Sequence, residues 1–246
     1  MGEPLAILKR CLEWYHEGRI PEAIALAEEG LAQSPDDGGL WQIYGLLRRR
    51  IGDVDGARAA LETASALMPL DPPARCALAD CYALTGKTEL AGDLYRQLAG
   101  DARCPTALLP AVASGLGSLG DDEAALGACC ELARREPGSH EAYFGIGFYL
   151  RRLGHPPEAA IPPIARAQEL APGSTLYRMV LAGLLAGIGQ REEAYDLLRG
   201  VNPRLVGCRC CLRRMMAVFQ HAGDRPRLDA CRAQAERIAG AQGTPP

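Results

Sequence analysis

Lysine and asparagine are almost missing from this chain: Lys9 and Lys87 are the only lysines and Asn202 the only asparagine. Aromatic side chains make up only 5% of its 246 residues, so close packing through small residues is the expected style of core. No window of 18 apolar residues is free of charge, which excludes a membrane-spanning helix from the expected elements. The stretch from Met1 to Trp14 has no basic segment followed by an apolar run, so no secretory leader is expected and a cytoplasmic location is. Neither a GxxxxGKS or GxxxxGKT loop nor a strand followed by GxGxxG occurs, which excludes phosphate-cradling enzymes. There is no large charge excess either. A formal charge of −3 and an isoelectric point near 5.9 give no general attraction to nucleic acid or an anionic membrane.

What is present is a period. Gly18, Gly52, Gly86, Gly120, Gly154, Gly189 and Gly223 are followed five residues on by Ala23, Ala57, Ala91, Ala125, Ala159, Ala194 and Leu228. The step is 34 residues four times, then 35, then 34. Pro35, Pro69, Pro137 and Pro172 keep the same beat. Self-similarity at such a period is the mark of a stacked repeat array, in which each unit buries its apolar face only against its neighbours.

The residues between Gly38 and Asp71 show the pattern of one copy: Trp41, Tyr44 and Gly45, then Gly52, Ala57, Leu61, Ala64 and Pro69. This resembles the tetratricopeptide repeat, and the resemblance covers about residues 4 to 240. It implies an all-α, right-handed superhelical array (α-solenoid) of about seven helix-turn-helix repeats that binds other proteins without catalysis. The expected repeats are 4–37, 38–71, 72–105, 106–139, 140–173, 174–208 and 209–240, one array over 1–240 with a disordered tail at 241–246.

Two copies depart from the pattern. Repeat four carries Gly115, Gly117 and Gly120, and glycine inside a helix costs roughly 1 kcal/mol against alanine. It is expected to be the softest point of the array, ahead of the alternative that a ligand backbone comes close there. In repeat five, Pro156 and Pro157 suit a first helical turn, whereas Pro162 and Pro163 lie deep enough to kink or delay the second helix. The extra residue of the 35-residue step is expected near Gly173–Ser174.

Chemistry is sparse. His16, His140, His155 and His221 fall in different repeats with no recurrent nucleophile beside them, so no enzyme activity, catalytic residue or cofactor is expected. Ten cysteines are spread through a long helical chain and read as free thiols. Cys208, Cys210 and Cys211 include one C-x-x-C pair, with Cys231 and His221 in the same repeat. Their spacing matches no zinc motif, so no metal is assigned; a thiol- or zinc-dependent regulator, or a non-catalytic subunit of another assembly, is the alternative function.

The resemblance also implies a concave groove lined by the first helix of each pair. On helical periodicity Leu8, Leu12 and Tyr15 face it in repeat one, and Gln42, Leu46, Arg49 and Arg50 in repeat two. Phe144, Phe148, Arg151 and Arg152 do so in repeat five, and Arg213 in repeat seven. Apolar residues beside arginine forks favour a peptide or protein segment rich in acid. A chaperone-tail adaptor is not expected, because the Lys, Asn and Arg clamp of that branch has no counterpart at Leu8, Leu12, Gln42 and Leu46. RNA is not expected either, since Asn, Asp, Ser or Thr do not recur at readout positions.

Overall fold

A computed structural model describes residues 3–241, and the rest of the tail expected at 241–246 lies outside the described residues. The chain divides into two compact units, Met1–Glu131 and Leu132–Pro246. In the first unit the helix pairs are α1 (Glu3–Glu17) with α2 (Ile20–Gln33), α3 (Gly38–Arg50) with α4 (Val54–Leu67), and α5 (Pro72–Leu84) with α6 (Thr88–Gly100). A 3-10 turn at Thr106–Leu108 then leads into α7 (Leu109–Ser118), followed by α8 (Asp122–Arg135), in which the division falls. The second unit holds α9 (His140–Arg152) with α10 (Pro157–Leu170), α11 (Thr175–Gly187) with α12 (Arg191–Leu198), and α13 (Arg209–His221) with α14 (Arg225–Ala241). No strand occurs among the described residues.

The glycine ladder is the ladder of turns. All seven glycines have positive φ, from 70° at Gly223 to 88° at Gly189, and a Cβ at any of them would meet nothing within 4 Å. Conformation, then, and not space, requires glycine there. Each turn closes its first helix with the same two bonds. At Gly52 these are Gly52 N–H to the Arg49 carbonyl (3.1 Å) and Asp53 N–H to the Arg48 carbonyl (3.0 Å). Asp53 then caps the next helix by accepting from the Gly56 N–H.

Small residues let the two helices of a pair meet. A Cβ on Gly45 would stand 2.6 Å from Leu61 Cγ and 3.3 Å from the Ala57 carbonyl oxygen. Gly147 meets Ile164 and the Ala160 carbonyl in the same manner, and the Cys11 thiol donates to the Ala23 carbonyl at 3.6 Å. Ala23, Ala57, Ala91, Ala125 and Ala194 are fully buried.

Repeat five corrects the expected register. The buried alanine is Ala160, not Ala159, because Pro156 adds a residue between Gly154 and the start of α10. The extra residue therefore enters in this turn rather than near Gly173–Ser174. Nor is the helix delayed: α10 begins at Pro157 and runs through Pro162 and Pro163. Gly115 of repeat four has a packing reason instead. A Cβ on Gly115 would enter the ring of Tyr95, which is buried and bonds Asp80 through its hydroxyl at 2.5 Å. A neighbouring side chain of the same unit makes the close approach.

Candidate functional site

In the second unit, α9, α10, α11 and the start of α13 surround an open groove of about 590 Å³. From α9 it receives Phe144, Phe148, Arg151 and Arg152, spaced so that successive turns present one face. Phe144 stacks on Tyr177 of α11 with ring centroids 4.7 Å apart, and Phe148 lies 6.4 Å from Phe144. The Tyr177 hydroxyl is 2.9 Å from His140 Nδ1, and burial pushes the phenol above its ordinary range. Leu176, Val180 and Leu184 of α11 complete the apolar wall.

Among the described residues three arginines line this groove and no carboxylate does. Arg152 lies over the Phe148 ring at 5.9 Å, a cation–π contact. Arg151 gives one N–H to the His155 carbonyl, one of the five donors of its fork. The stem of Arg214 from α13 crosses Gly183, where a Cβ would come within 3.3 Å of its Cδ. Arg213, expected in the groove, is exposed and not among the lining residues. The buried face of α13 is Cys211, Leu212, Met215, Val218 and Phe219, which turns Arg214 toward α11.

Cys208, Cys210 and Cys211 stand at one end of the same groove. Cys208 precedes α13 and the other two lie in its first turn. The Cys208 and Cys210 sulfurs are 2.6 Å apart. Hydrogen bonds from the Cys210 side chain and the Cys211 backbone N–H pull the Cys208 thiol down to about 7. Burial, and the bond to Cys208, push Cys211 up to about 12. Of the ten free thiols, only Cys130, Cys208 and Cys210 are exposed. Cys231 is sealed in the core, and His221 lies at the far end of α13.

The first-unit residues expected in a groove have other engagements. Leu8, Tyr15 and Leu46 are half-buried against the cluster around Cys11, Ile43 and Leu47, and Leu12 is 40% exposed. Gln42 bonds Asp71 twice, from its Nε2 to the carboxylate (2.7 Å) and from the Asp71 N–H to its Oε1 (3.0 Å). Arg49 reaches Asp80 at 3.7 Å, and Arg50 is exposed. The structure thus gathers Phe144, Phe148, Arg151 and Arg152 in one cavity. Sequence reasoning missed Arg214, Gly183 and Tyr177; the buried stripe of α13 was the available signal for the first of these.

Residues 45–107 match a family model described as tetratricopeptide repeat. The C-terminal part of a TPR repeat-containing protein from Cytophaga hutchinsonii is similar in structure, with a TM-score of 0.72 and 11% identity, over 94% of this chain and 95% of its own. PilF of Pseudomonas aeruginosa is similar over 84% of this chain and 93% of its own, with 21% identity and a TM-score of 0.63. YrrB, described as a TPR protein with an unusual peptide-binding site, shares 17% identity and a TM-score of 0.59 over 85% of this chain and 97% of its own. No curated protein sequence matches the chain. Residues 45–107 thus carry the tetratricopeptide repeat match, and the fold is that of tetratricopeptide repeat structures. No described helix is long and apolar enough to cross a membrane.

Proposed function

We propose that the chain is a non-catalytic cytoplasmic scaffold, one array over 1–240, whose second-unit groove holds an acidic segment of a protein partner. One observation carries this reading: Arg151, Arg152 and Arg214 line a groove with Phe144 and Phe148 and no carboxylate. Guanidinium forks take carboxylates in two parallel bonds, and the stacked rings offer apolar contact beside them. The repeat match supports a protein partner, and the peptide site in YrrB's description is consistent with a peptide ligand.

The test is fluorescence anisotropy with Asp- and Glu-rich peptides that carry one aromatic residue, and with their amidated Gln and Asn counterparts. Acidic peptides should bind at least about tenfold more tightly at low salt, and the preference should shrink as salt shortens the screening length to about 8 Å. Arg151→Glu with Arg152→Glu should remove it without loss of helicity, since exposed charges change stability by only tenths of a kcal/mol. Equal binding of acidic and amidated peptides would sink the reading.

A further inference from the structure

We propose that Cys208, Cys210 and Cys211 form a three-thiolate site for a divalent cation of the zinc class, with its fourth coordination position open to the groove. The three sulfur atoms all lie within 4.8 Å of one another. Zinc holds thiolates at about 2.3 Å, so neighbouring sulfurs of a tetrahedron stand about 3.8 Å apart. Rotation of the two exposed side chains spans the difference. Cys211, only 6% exposed in the core of the second unit, is the fixed ligand. Cys208 and Cys210 are exposed and can close on the ion from solvent.

The backbone that carries Cys208 is anchored from α14. Buried Gln234 donates to the Val206 carbonyl at 2.9 Å, and Arg237 donates to the Arg204 carbonyl at 3.2 Å. An orienting shell of this kind is what ligands on a loop require. Charge also fits. Three thiolates around a doubly positive ion leave one net negative charge, beside the arginines of the same groove. Among the described residues no fourth His, Cys, Asp or Glu joins the group. A sulfur-rich site with three protein ligands keeps its last position for water or for a donor arriving along the groove.

Cation binding is measured on the full chain without any peptide, so this inference stands or falls separately from the groove reading. Reduced protein, free of oxygen, is titrated with Zn2+ against a chromophoric chelator, with Co2+ as the optical stand-in. Wild type should bind one equivalent and give sulfur-to-cobalt charge-transfer and tetrahedral ligand-field bands. Zinc should protect Cys208, Cys210 and Cys211 from alkylation. Cys208→Ser with Cys210→Ser should lose both signals; Cys211 stays in place there, so the core is untouched and the helical spectrum should be unchanged. Cys130→Ser, an exposed thiol elsewhere, should behave as wild type. Wild type that binds no more zinc than the double variant, or binds copper(I) alone, would overturn the assignment.

Discussion

Arginines at corresponding helix positions meet different partners in the two units. Helices α3 and α9 both have thirteen residues, so Arg49 corresponds to Arg151, Leu46 to Phe148 and Gln42 to Phe144. The ninth residue is Asp80 in α5 and Gly183 in α11; the fourth is Arg75 and Arg178. In the first unit Arg49 reaches the Asp80 carboxylate, and Arg75 reaches Asp101 at 2.8 Å. In the second, Arg151 and Arg178 donate to the backbone carbonyls of His155 and Pro172. A carboxylate in an arginine's reach consumes its charge; a carbonyl leaves most of it available to a ligand. Gly183, in place of the aspartate, also vacates the space that Arg214 crosses. One helical register thus yields an internal ion pair in one unit and, in the other, the arginine-lined groove proposed to take an acidic segment.

Exchanging the ninth residues would break the comparison, and the groove should respond most. Gly183→Asp restores the first unit's carboxylate, and its Cβ displaces only the flexible Arg214 stem. Acidic-peptide affinity should fall by about a hundredfold, because like charge placed in a binding groove costs several kcal/mol. Helicity should not fall, since glycine is the poorer helix former. Anisotropy titrations decide it; unchanged affinity would mean that the arginines do not hold the acid.

The matching change in the first unit removes the carboxylate as Asp80→Ala. Asp80 accepts from the Tyr95 hydroxyl and faces Arg49, so removing it orphans a buried phenol and costs about 1–3 kcal/mol of stability. Chemical denaturation measures that loss. Tyr95→Phe made in the Asp80→Ala background should then add little, because the two share one bond. Independent, additive losses would show that the pair is not coupled.

The repeat period made the fold legible, because each glycine needs positive φ and each small residue needs a close helix; both demands repeat in the sequence. The groove was half legible. Periodicity along α9 gave Phe144, Phe148, Arg151 and Arg152, whereas Arg49 and Gln42 fit the same rule and are spent on Asp80 and Asp71. Those partners come from the next helix pair, about thirty residues away, where a stripe drawn on one helix carries no information. Arg214 was hidden for the same reason: its direction follows from which face of α13 enters the core. The one-residue slip to Ala160 was hidden because prolines at the start of a helix are neutral to its length.

The smallest effect concerns the fourth residues, and pH separates the units. The Arg75 guanidinium and the Arg103 backbone N–H hold the Asp101 carboxyl down to about 2. A carboxylate lowered on folding contributes stability above its unfolded value of about 3.9. That contribution is lost as pH falls through the folded value, because both states are then protonated. Asp101→Asn should therefore be less stable than wild type at pH 7, by a modest margin since the pair is partly solvated. The gap should hold down to about pH 4 and close by about pH 2. Arg178, which donates to the Pro172 carbonyl, has no titrating partner in that bond, so Arg178→Gln should show a gap that does not change over this range. Denaturant midpoints across pH for both variants give the answer. A difference for Asp101→Asn that stays constant down to pH 2 would mean that the Asp101 carboxylate adds no charge-dependent stability.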